Sequence, residues 1–118
     1  MILGGVTADG LPIITLPVGG RNWSAVVDTG FNGDLELPDA LRPLVNPQFA
    51  GGMYSVLAGG QVLEEDCYLV DFPFDGTMLR VEATFVAGAD ILLGTHLLRR
   101  HKLEVDFPAA TVRLECMP

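Results

Sequence analysis

Glycine and proline interrupt this sequence so often that long helices have little room. The 118-residue chain has 14 glycines and 8 prolines, and hydrophobic residues make up 49% of it against 19% charged residues. Glycine and proline favour turns and disfavour helix interiors, while this hydrophobic content is enough for a packed core. The composition therefore predicts an all-β fold of short strands and turns, in one domain spanning residues 1–118.

Apolar runs separated by turn residues predict two hairpins. Residues 11–18 are apolar apart from Thr15, and a Gly-Gly-Arg-Asn turn separates them from the apolar run that leads to Asp28. Residues 53–57 and 61–72 flank the string Ala58-Gly59-Gly60, so a second hairpin with a glycine-rich tip is expected. Further strands are predicted at residues 35–37, 78–86, 103–107 and 111–116, and a short buried run is predicted at residues 91–94.

One short C-terminal helix is predicted at residues 95–100. Thr95 is a suitable N-cap residue, Leu97 and Leu98 give the segment an apolar side, and Arg99 and Arg100 lie near its end, where cations are favoured. The earlier segment 38–47 contains three prolines and is expected to be too interrupted for a long helix.

The charge and hydropathy of the chain exclude several classes of partner. Fifteen acidic and seven basic side chains give a formal net charge of -8, which repels a phosphate backbone, so no nucleic-acid partner is expected. No apolar run approaches the roughly 20 residues that span a bilayer, and no signal-peptide pattern opens the chain. No membrane association and a cytoplasmic location are the resulting expectations.

No metal or cofactor site is predicted. His96 and His101 are five residues apart, which does not match the His-Glu-x-x-His zinc pattern, and no ligand cluster surrounds them. Cys67 and Cys116 do not form a Cys-x-x-Cys pair and are interpreted as packing thiols. The acidic run at residues 64–66 is interpreted as a solvated strand edge rather than as a cation site.

The motif that carries chemistry is Asp28-Thr29-Gly30, which follows two valines. An aspartate that activates water is held at the floor of a cleft by a tight turn, which favours apolar residues before it and a glycine two residues after it. A tripeptide of this kind occurs by chance in about one chain per hundred of this length, and a polar turn after a strand is the alternative. The motif alone is therefore only a hypothesis.

Features along nearly the whole chain strengthen this hypothesis. The run from Gly10 through Trp23 into Asp28-Thr29-Gly30 resembles the N-terminal part of retropepsins, the retroviral-type aspartic proteases. Residues 91–94, the helix predicted after them and the strand at 103–107 are similar to that family's hydrophobic-hydrophobic-glycine element and C-terminal helix. The hairpin at residues 53–69 lies where the family carries its flap. The resemblance, to small non-viral members, implies an acid-protease β-barrel that is active as a homodimer.

The resemblance also implies roles for individual residues. Asp28 becomes the catalytic carboxylate, Thr29 the hydroxyl that braces two active-site turns across a dimer, and Gly30 a backbone contact for substrate. Gly94 lets its loop pack closely under that turn. The flap candidates are Leu57, Ala58, Gly59 and Gly60.

Two departures from the family pattern stand beside the motif. Phe31 occupies a position where a small residue is common, which affects the substrate pocket. Asn32 and Thr95 occupy the positions of an acid and an arginine that commonly pair, so both partners of that ion pair are missing together and a hydrogen-bonded substitute is possible.

A single Asp-Thr-Gly motif implies two chains. Aspartic proteases need two carboxylates close enough to share one proton, and no other aspartate of this chain is followed by Thr-Gly or Ser-Gly. The prediction is therefore a homodimeric aspartic endopeptidase that cleaves a peptide or protein substrate, with an acidic to near-neutral rate optimum. The alternatives are an inactive dimeric peptide-binding or scaffolding module of the same fold, and a structural β-barrel without a ligand.

Overall fold

The computed structural model describes all residues, 1–118, and consists mainly of β-strands. The strands are β1 (Ile2–Val6), β2 (Pro12–Val18), β3 (Arg21–Val27), β4 (Leu35–Pro38), β5 (Gln48–Val56), β6 (Val62–Phe74), β7 (Thr77–Val86), β8 (Ile91–Leu93), β9 (His101–Asp106) and β10 (Thr111–Cys116). One 3-10 helix covers Asp39–Leu44, in the proline-rich segment expected to lack a long helix. No helix is long and apolar enough to cross a membrane. The predicted β-rich fold is confirmed.

All ten strands belong to one sheet, in the order β5-β6-β7-β4-β8-β3-β2-β1-β10-β9. Both predicted hairpins form, as β2–β3 and β5–β6. The two outer strands, β5 and β9, each pair with one neighbour and do not pair with each other. The expected barrel is therefore wrong in the sense of a closed one: the sheet is open, because closure requires its edge strands to meet.

The predicted helix at residues 95–100 is also wrong. These residues form a run of turns, held by the Leu98 N–H to the Gly94 carbonyl at 3.3 Å and the His101 N–H to the Leu98 carbonyl at 2.8 Å. β9 begins at His101, so the chain extends before a second helical turn can form. A single helical turn fixes several backbone dihedrals for few hydrogen bonds, which makes so short a helix unfavourable.

β1 is a strand that the sequence pattern did not predict. Gly4 and Gly5 dilute its apolar character, but a Cβ on Gly4 would overlap the carbonyl of Ile13 on β2. The glycine is therefore needed for close approach of the two strands, which is one of the few reasons for glycine in a strand interior.

The core is one cluster of buried side chains and is built by alternation along the strands. On β2, Ile14, Leu16 and Val18 are buried while Thr15 and Pro17 between them are exposed, as the two-residue period of a strand requires. Burial of such side chains supplies the main favourable free energy of folding. Burial alternates in the same way along β3, which pairs with β2 and ends at the buried Val27. Because Val27 is packed in the core, it fixes where the next residue, Asp28, begins its turn.

Candidate active site

Three strands bring the candidate site together. β8 pairs in parallel with β3 and antiparallel with β4, so the C-terminal ends of β3 and β8 meet the N-terminal end of β4. Asp28 follows β3, Gly94 follows β8 and Asp34 precedes β4. Residues far apart in sequence therefore share one end of this part of the sheet.

Asp28 is held by a tight turn directly after β3. Its N–H donates to the carbonyl of Leu93 at 3.0 Å, and its own carbonyl accepts from the Phe31 N–H at 3.2 Å. One carboxylate oxygen, Oδ1, accepts from the Gly30 N–H at 2.9 Å. These contacts fix both the backbone and the carboxylate orientation, and the side chain remains partly accessible.

Thr29 and Gly30 lie at the exposed tip of this turn. The Thr29 hydroxyl has no hydrogen-bond partner within the chain, whereas the N–H of Gly30 is occupied by Asp28. A Cβ on Gly30 would stand 3.3 Å from the Asp28 carboxylate, tighter than an ordinary contact. The turn thus presents one carboxylate beside a free hydroxyl.

Gly94 packs closely against the loop that carries Phe31 and Gly33. The Gly94 N–H donates to the Asp34 carbonyl at 3.0 Å, and the next two N–H groups, of Thr95 and His96, donate to the carbonyls of Phe31 and Gly33 at 2.8 and 3.2 Å. A Cβ on Gly94 would overlap the carbonyl of Gly33. Only glycine allows the two backbone segments to approach this closely.

Phe31 is accommodated by two glycines. A Cβ on Gly33 would lie 2.7 Å from the Phe31 ring, and a Cβ on Gly94 would lie 2.9 Å from it. The ring also lines a small recess of about 30 Å³ that reaches Met53 on β5 and Cys67 on β6. The aromatic side chain therefore fills space between the Asp28 turn and the base of the β5–β6 hairpin.

A buried carboxylate replaces the ion pair that the sequence lacks. Asn32 is exposed at the rim of a polar cleft of about 520 Å³, and neither its side chain nor that of Thr95 makes a hydrogen bond. Instead, Asp34 Oδ1 lies 2.6 Å from His96 Nδ1 and Asp34 Oδ2 accepts from the Glu82 N–H at 3.1 Å. Only 6% of the Asp34 side chain is exposed. The substitute contact is thus made by Asp34 and His96, which lie two positions after Asn32 and one position after Thr95.

Asp34 and His96 were missed as site residues because family spacing directed attention to Asn32 and Thr95. The available signal was an acid shortly after the motif and a basic residue shortly after Gly94, displaced from their usual positions. The Asp34–His96 contact joins the loop after Asp28 to the loop after β8, which is the connection that a paired acid and base would supply.

Glu36 is a second residue of this region that the sequence did not single out. It lies on the face of β4 opposite the buried Leu35 and Leu37, and it is partly buried. Burial, with the negative charges of Glu65 and Asp28, raises the pKa of the Glu36 carboxyl above its ordinary value. Glu36 therefore lies close enough to Asp28 and to Glu65 on β6 for their negative charges to contribute to this raised pKa.

The candidate flap is the tip of the β5–β6 hairpin. The Leu57 N–H donates to the Gln61 carbonyl at 2.7 Å and the Gly60 N–H to the Leu57 carbonyl at 2.9 Å, which closes a compact turn through Ala58 and Gly59. All four tip residues are exposed, and Gly60 has a φ of 79°, a conformation that favours glycine.

The strands behind this tip carry exposed apolar side chains. Tyr54 is 71% exposed, Val56 74% and Val62 65%. Isolated exposed apolar residues are ordinary, but a cluster on one projecting hairpin is typical of a surface that contacts a partner or ligand.

Solved structures that share this fold include a retropepsin-like aspartic protease and two foamy viral proteins. A retropepsin-like aspartic protease from Rickettsia conorii matches with a TM-score of 0.65 and 18% identity, over 96% of this chain and 88% of that one. The protease of simian foamy virus matches with a TM-score of 0.57 and 18% identity, over 74% of this chain and 91% of that one. The foamy viral protease-reverse transcriptase, solved with an RNA/DNA hybrid, matches with a TM-score of 0.61 and 15% identity, over 80% of this chain and 13% of that one.

No protein-family model and no curated protein sequence matches the chain. The structural likeness extends over most of the chain at low sequence identity, so its evidence concerns the fold. The chain therefore has a retropepsin-like fold.

Proposed function

We propose that two copies of this chain form an aspartic endopeptidase in which the two Asp28 carboxylates face each other across a two-fold axis. The observation that carries the proposal is the geometry of Asp28, whose carboxylate is oriented by the Gly30 N–H at the exposed end of β3. One chain supplies one such carboxylate, and the chemistry requires two that share a proton. The free hydroxyl of Thr29 is available to brace the opposing turn.

The proposed reaction adds water across a peptide bond without a covalent enzyme intermediate. The ionised Asp28 takes a proton from a bound water, whose oxygen attacks the scissile carbonyl, while the protonated Asp28 of the other chain transfers its proton to the carbonyl oxygen. The resulting gem-diol collapses as its C–N bond breaks. The leaving nitrogen takes a proton from the carboxyl pair, and one diol hydroxyl returns a proton to the pair as the carboxylic acid forms, so the pair is again singly protonated.

The substrate would bind in an extended conformation beneath the hairpin tip at residues 57–60. An extended peptide gains affinity from main-chain hydrogen bonds and specificity from pockets for alternate side chains. Phe31 is positioned to limit one such pocket, because its ring occupies the space between the Asp28 turn and the hairpin base. Large side chains are therefore expected to be poor at the subsite next to Phe31.

Cleavage of a broad peptide library between acidic and neutral pH tests this proposal. Asp28→Asn is expected to remove cleavage, because an amide cannot take the proton from water, while its retained side-chain oxygen can still accept from the Gly30 N–H. Asp9→Asn is the matched control, since Asp9 is exposed in the turn between β1 and β2. Unchanged cleavage by Asp28→Asn would refute the proposal.

Binding of a statine-type transition-state mimic separates the protease from a binding module of the same fold. The protease is expected to bind the mimic, and Asp28→Asn is expected to weaken that binding sharply because the central hydroxyl contacts the carboxylate pair. Tight binding of peptides without turnover, equal in both proteins, would instead identify a peptide-binding module.

A further inference from the structure

One row of side chains crosses the sheet beside the candidate active site. Directly paired residues of neighbouring strands project from the same face of a sheet. One such row runs across β3, β8, β4 and β7 and consists of Val26, Leu92, Glu36 and Thr84. Leu35 and Leu37, on either side of Glu36, project into the core instead. Since Asp28 follows Val26 by two residues, Glu36 is on the side of the sheet that carries Asp28.

Glu36 is the charged member of this row, and no cation of the chain is paired with it. None of the ion pairs within the chain includes its carboxylate. The charged groups that raise its pKa, besides burial, are Glu65 and Asp28, and both are negative. A partly buried carboxylate is costly unless a cation or a hydrogen-bond donor compensates for the lost water. The chain supplies no cation here, so a ligand that brings one would gain this compensation.

The side chains next to Glu36 suit the stem of a long basic side chain. Leu92 lies between Glu36 and Val26, and both apolar side chains are only partly buried. Lysine and arginine place their methylene groups along apolar surface while the charged end reaches a polar group beyond it. The row therefore offers an apolar strip that ends at a carboxylate.

The distance from the Asp28 turn to Glu36 corresponds to a few residues of substrate. β4 is two strands away from β3, and two strand spacings amount to about 10 Å. An extended peptide advances about 3.3 Å per residue. A substrate side chain within about three residues of the scissile bond can therefore reach Glu36.

We propose that Glu36 is a specificity-determining residue that pairs with a lysine or arginine side chain of the substrate, within about three residues of the scissile bond. The methylene stem packs on Leu92, and the ammonium or guanidinium group donates hydrogen bonds to the Glu36 carboxylate. This inference rests on the proposed endopeptidase activity and names the class of substrate that the enzyme cleaves best.

The same surroundings disfavour other side chains at this subsite. A neutral side chain would remove water from the Glu36 carboxylate without replacing its hydrogen bonds. An acidic side chain would add a negative charge beside Glu36, Glu65 and Asp28, and such repulsion is a common source of specificity. The expected order of cleavage is therefore basic, then neutral, then acidic.

Matched peptides that differ at one position test this inference. Lysine, norleucine or glutamate is placed in turn at each position within three residues of the scissile bond, and kcat/KM is measured for each peptide. At the position next to Glu36 the wild type is expected to favour lysine over norleucine about tenfold, the range of a partly buried charged contact. Glu36→Gln is expected to bring this ratio close to one, and Glu36→Lys to favour glutamate over lysine.

Glu115→Gln is the matched control, because it makes the same chemical change at an exposed residue of β10. β10 pairs with β1 and β9 and with no strand of the candidate site. The ratio of lysine to norleucine is expected to stay at its wild-type value in this variant. Far-UV circular dichroism checks that every variant folds.

Binding of statine-type peptides by calorimetry separates failure of this inference from failure of the proposed activity. The lysine-containing mimic is expected to bind about tenfold more tightly than its norleucine counterpart, and Glu36→Gln is expected to abolish the difference. Cleavage with no preference for lysine, or a preference that persists in Glu36→Gln, would overturn the role of Glu36 and leave the protease standing. Lysine-selective binding that depends on Glu36, without cleavage of any peptide, would support the subsite and refute the protease. Folded protein that neither binds nor cleaves would refute both.

Discussion

Gly94→Ala is expected to destabilise the protein and to damage the candidate site. The added Cβ would overlap the Gly33 carbonyl and lie 2.9 Å from the Phe31 ring. The Gly33 carbonyl is a backbone group and cannot rotate away as a flexible side chain could. The two loops must therefore separate. Overpacking of this kind costs about 1–3 kcal/mol, and the reduced freedom of the unfolded chain returns about 0.4–1 kcal/mol. A net loss of about 1–2 kcal/mol follows.

Thermal unfolding monitored by the fluorescence of Trp23, the single tryptophan and a buried one, measures this loss. For a chain of this length, about 1–2 kcal/mol corresponds to a fall in Tm of roughly 3–10 °C. The rate of cleavage is expected to fall by more than the loss of folded protein explains, because the loop that moves adjoins Leu93, whose carbonyl accepts from the Asp28 N–H.

Gly88→Ala is the matched control for this prediction. A Cβ at Gly88 would meet its nearest atom, on Val86, at 3.8 Å, an ordinary contact, and neither Gly88 nor Gly94 has a positive φ. Its Tm is expected to stay the same or rise slightly. If Gly94→Ala unfolds at the wild-type temperature, the argument that close backbone approach requires glycine there is refuted.

Three further predictions concern individual carboxyl and thiol side chains. Burial raises the pKa of the Glu36 carboxyl, so this carboxyl keeps its proton to higher pH in the folded protein than in the unfolded chain, and its contribution to stability is lost as pH rises through the folded pKa. The Tm of Glu36→Gln is therefore expected to rise relative to that of the wild type between about pH 4 and pH 7. Parallel profiles of Tm against pH for the two proteins would contradict this. Asp34→Ala leaves the Glu82 N–H without its acceptor and is expected to lower the free energy of unfolding in urea by about 1–3 kcal/mol. His96→Ala is expected to lower it by less, because the His96 side chain is 59% exposed. The reverse order would refute the assigned role of Asp34. Cys116 is exposed, whereas Cys67 is buried and burial raises the pKa of its thiol, so mass spectrometry after brief alkylation should find Cys116 modified first.

Local patterns in the sequence predicted most of the strands because those strands depend on local rules. The alternation of β2, the turn before Trp23 and the glycine-rich tip at residues 57–60 each express a preference that is readable over a few residues. β1 could not be read in this way, since the reason for Gly4 is the Ile13 carbonyl on another strand. The helix at residues 95–100 failed for the related reason that β9 begins immediately after it.

The contacts of the candidate site likewise have either local or non-local causes. The Asp28 turn could be predicted because its carboxylate bonds to an N–H two residues away, which a tripeptide encodes. The Asp34–His96 contact joins residues 62 positions apart, and its partners are displaced from the spacing that a motif would suggest. Sequence spacing showed that an ion pair was missing, but only the fold brings the replacement carboxylate and imidazole together. Sequence therefore locates the reacting group more readily than the residues that hold its surroundings in place.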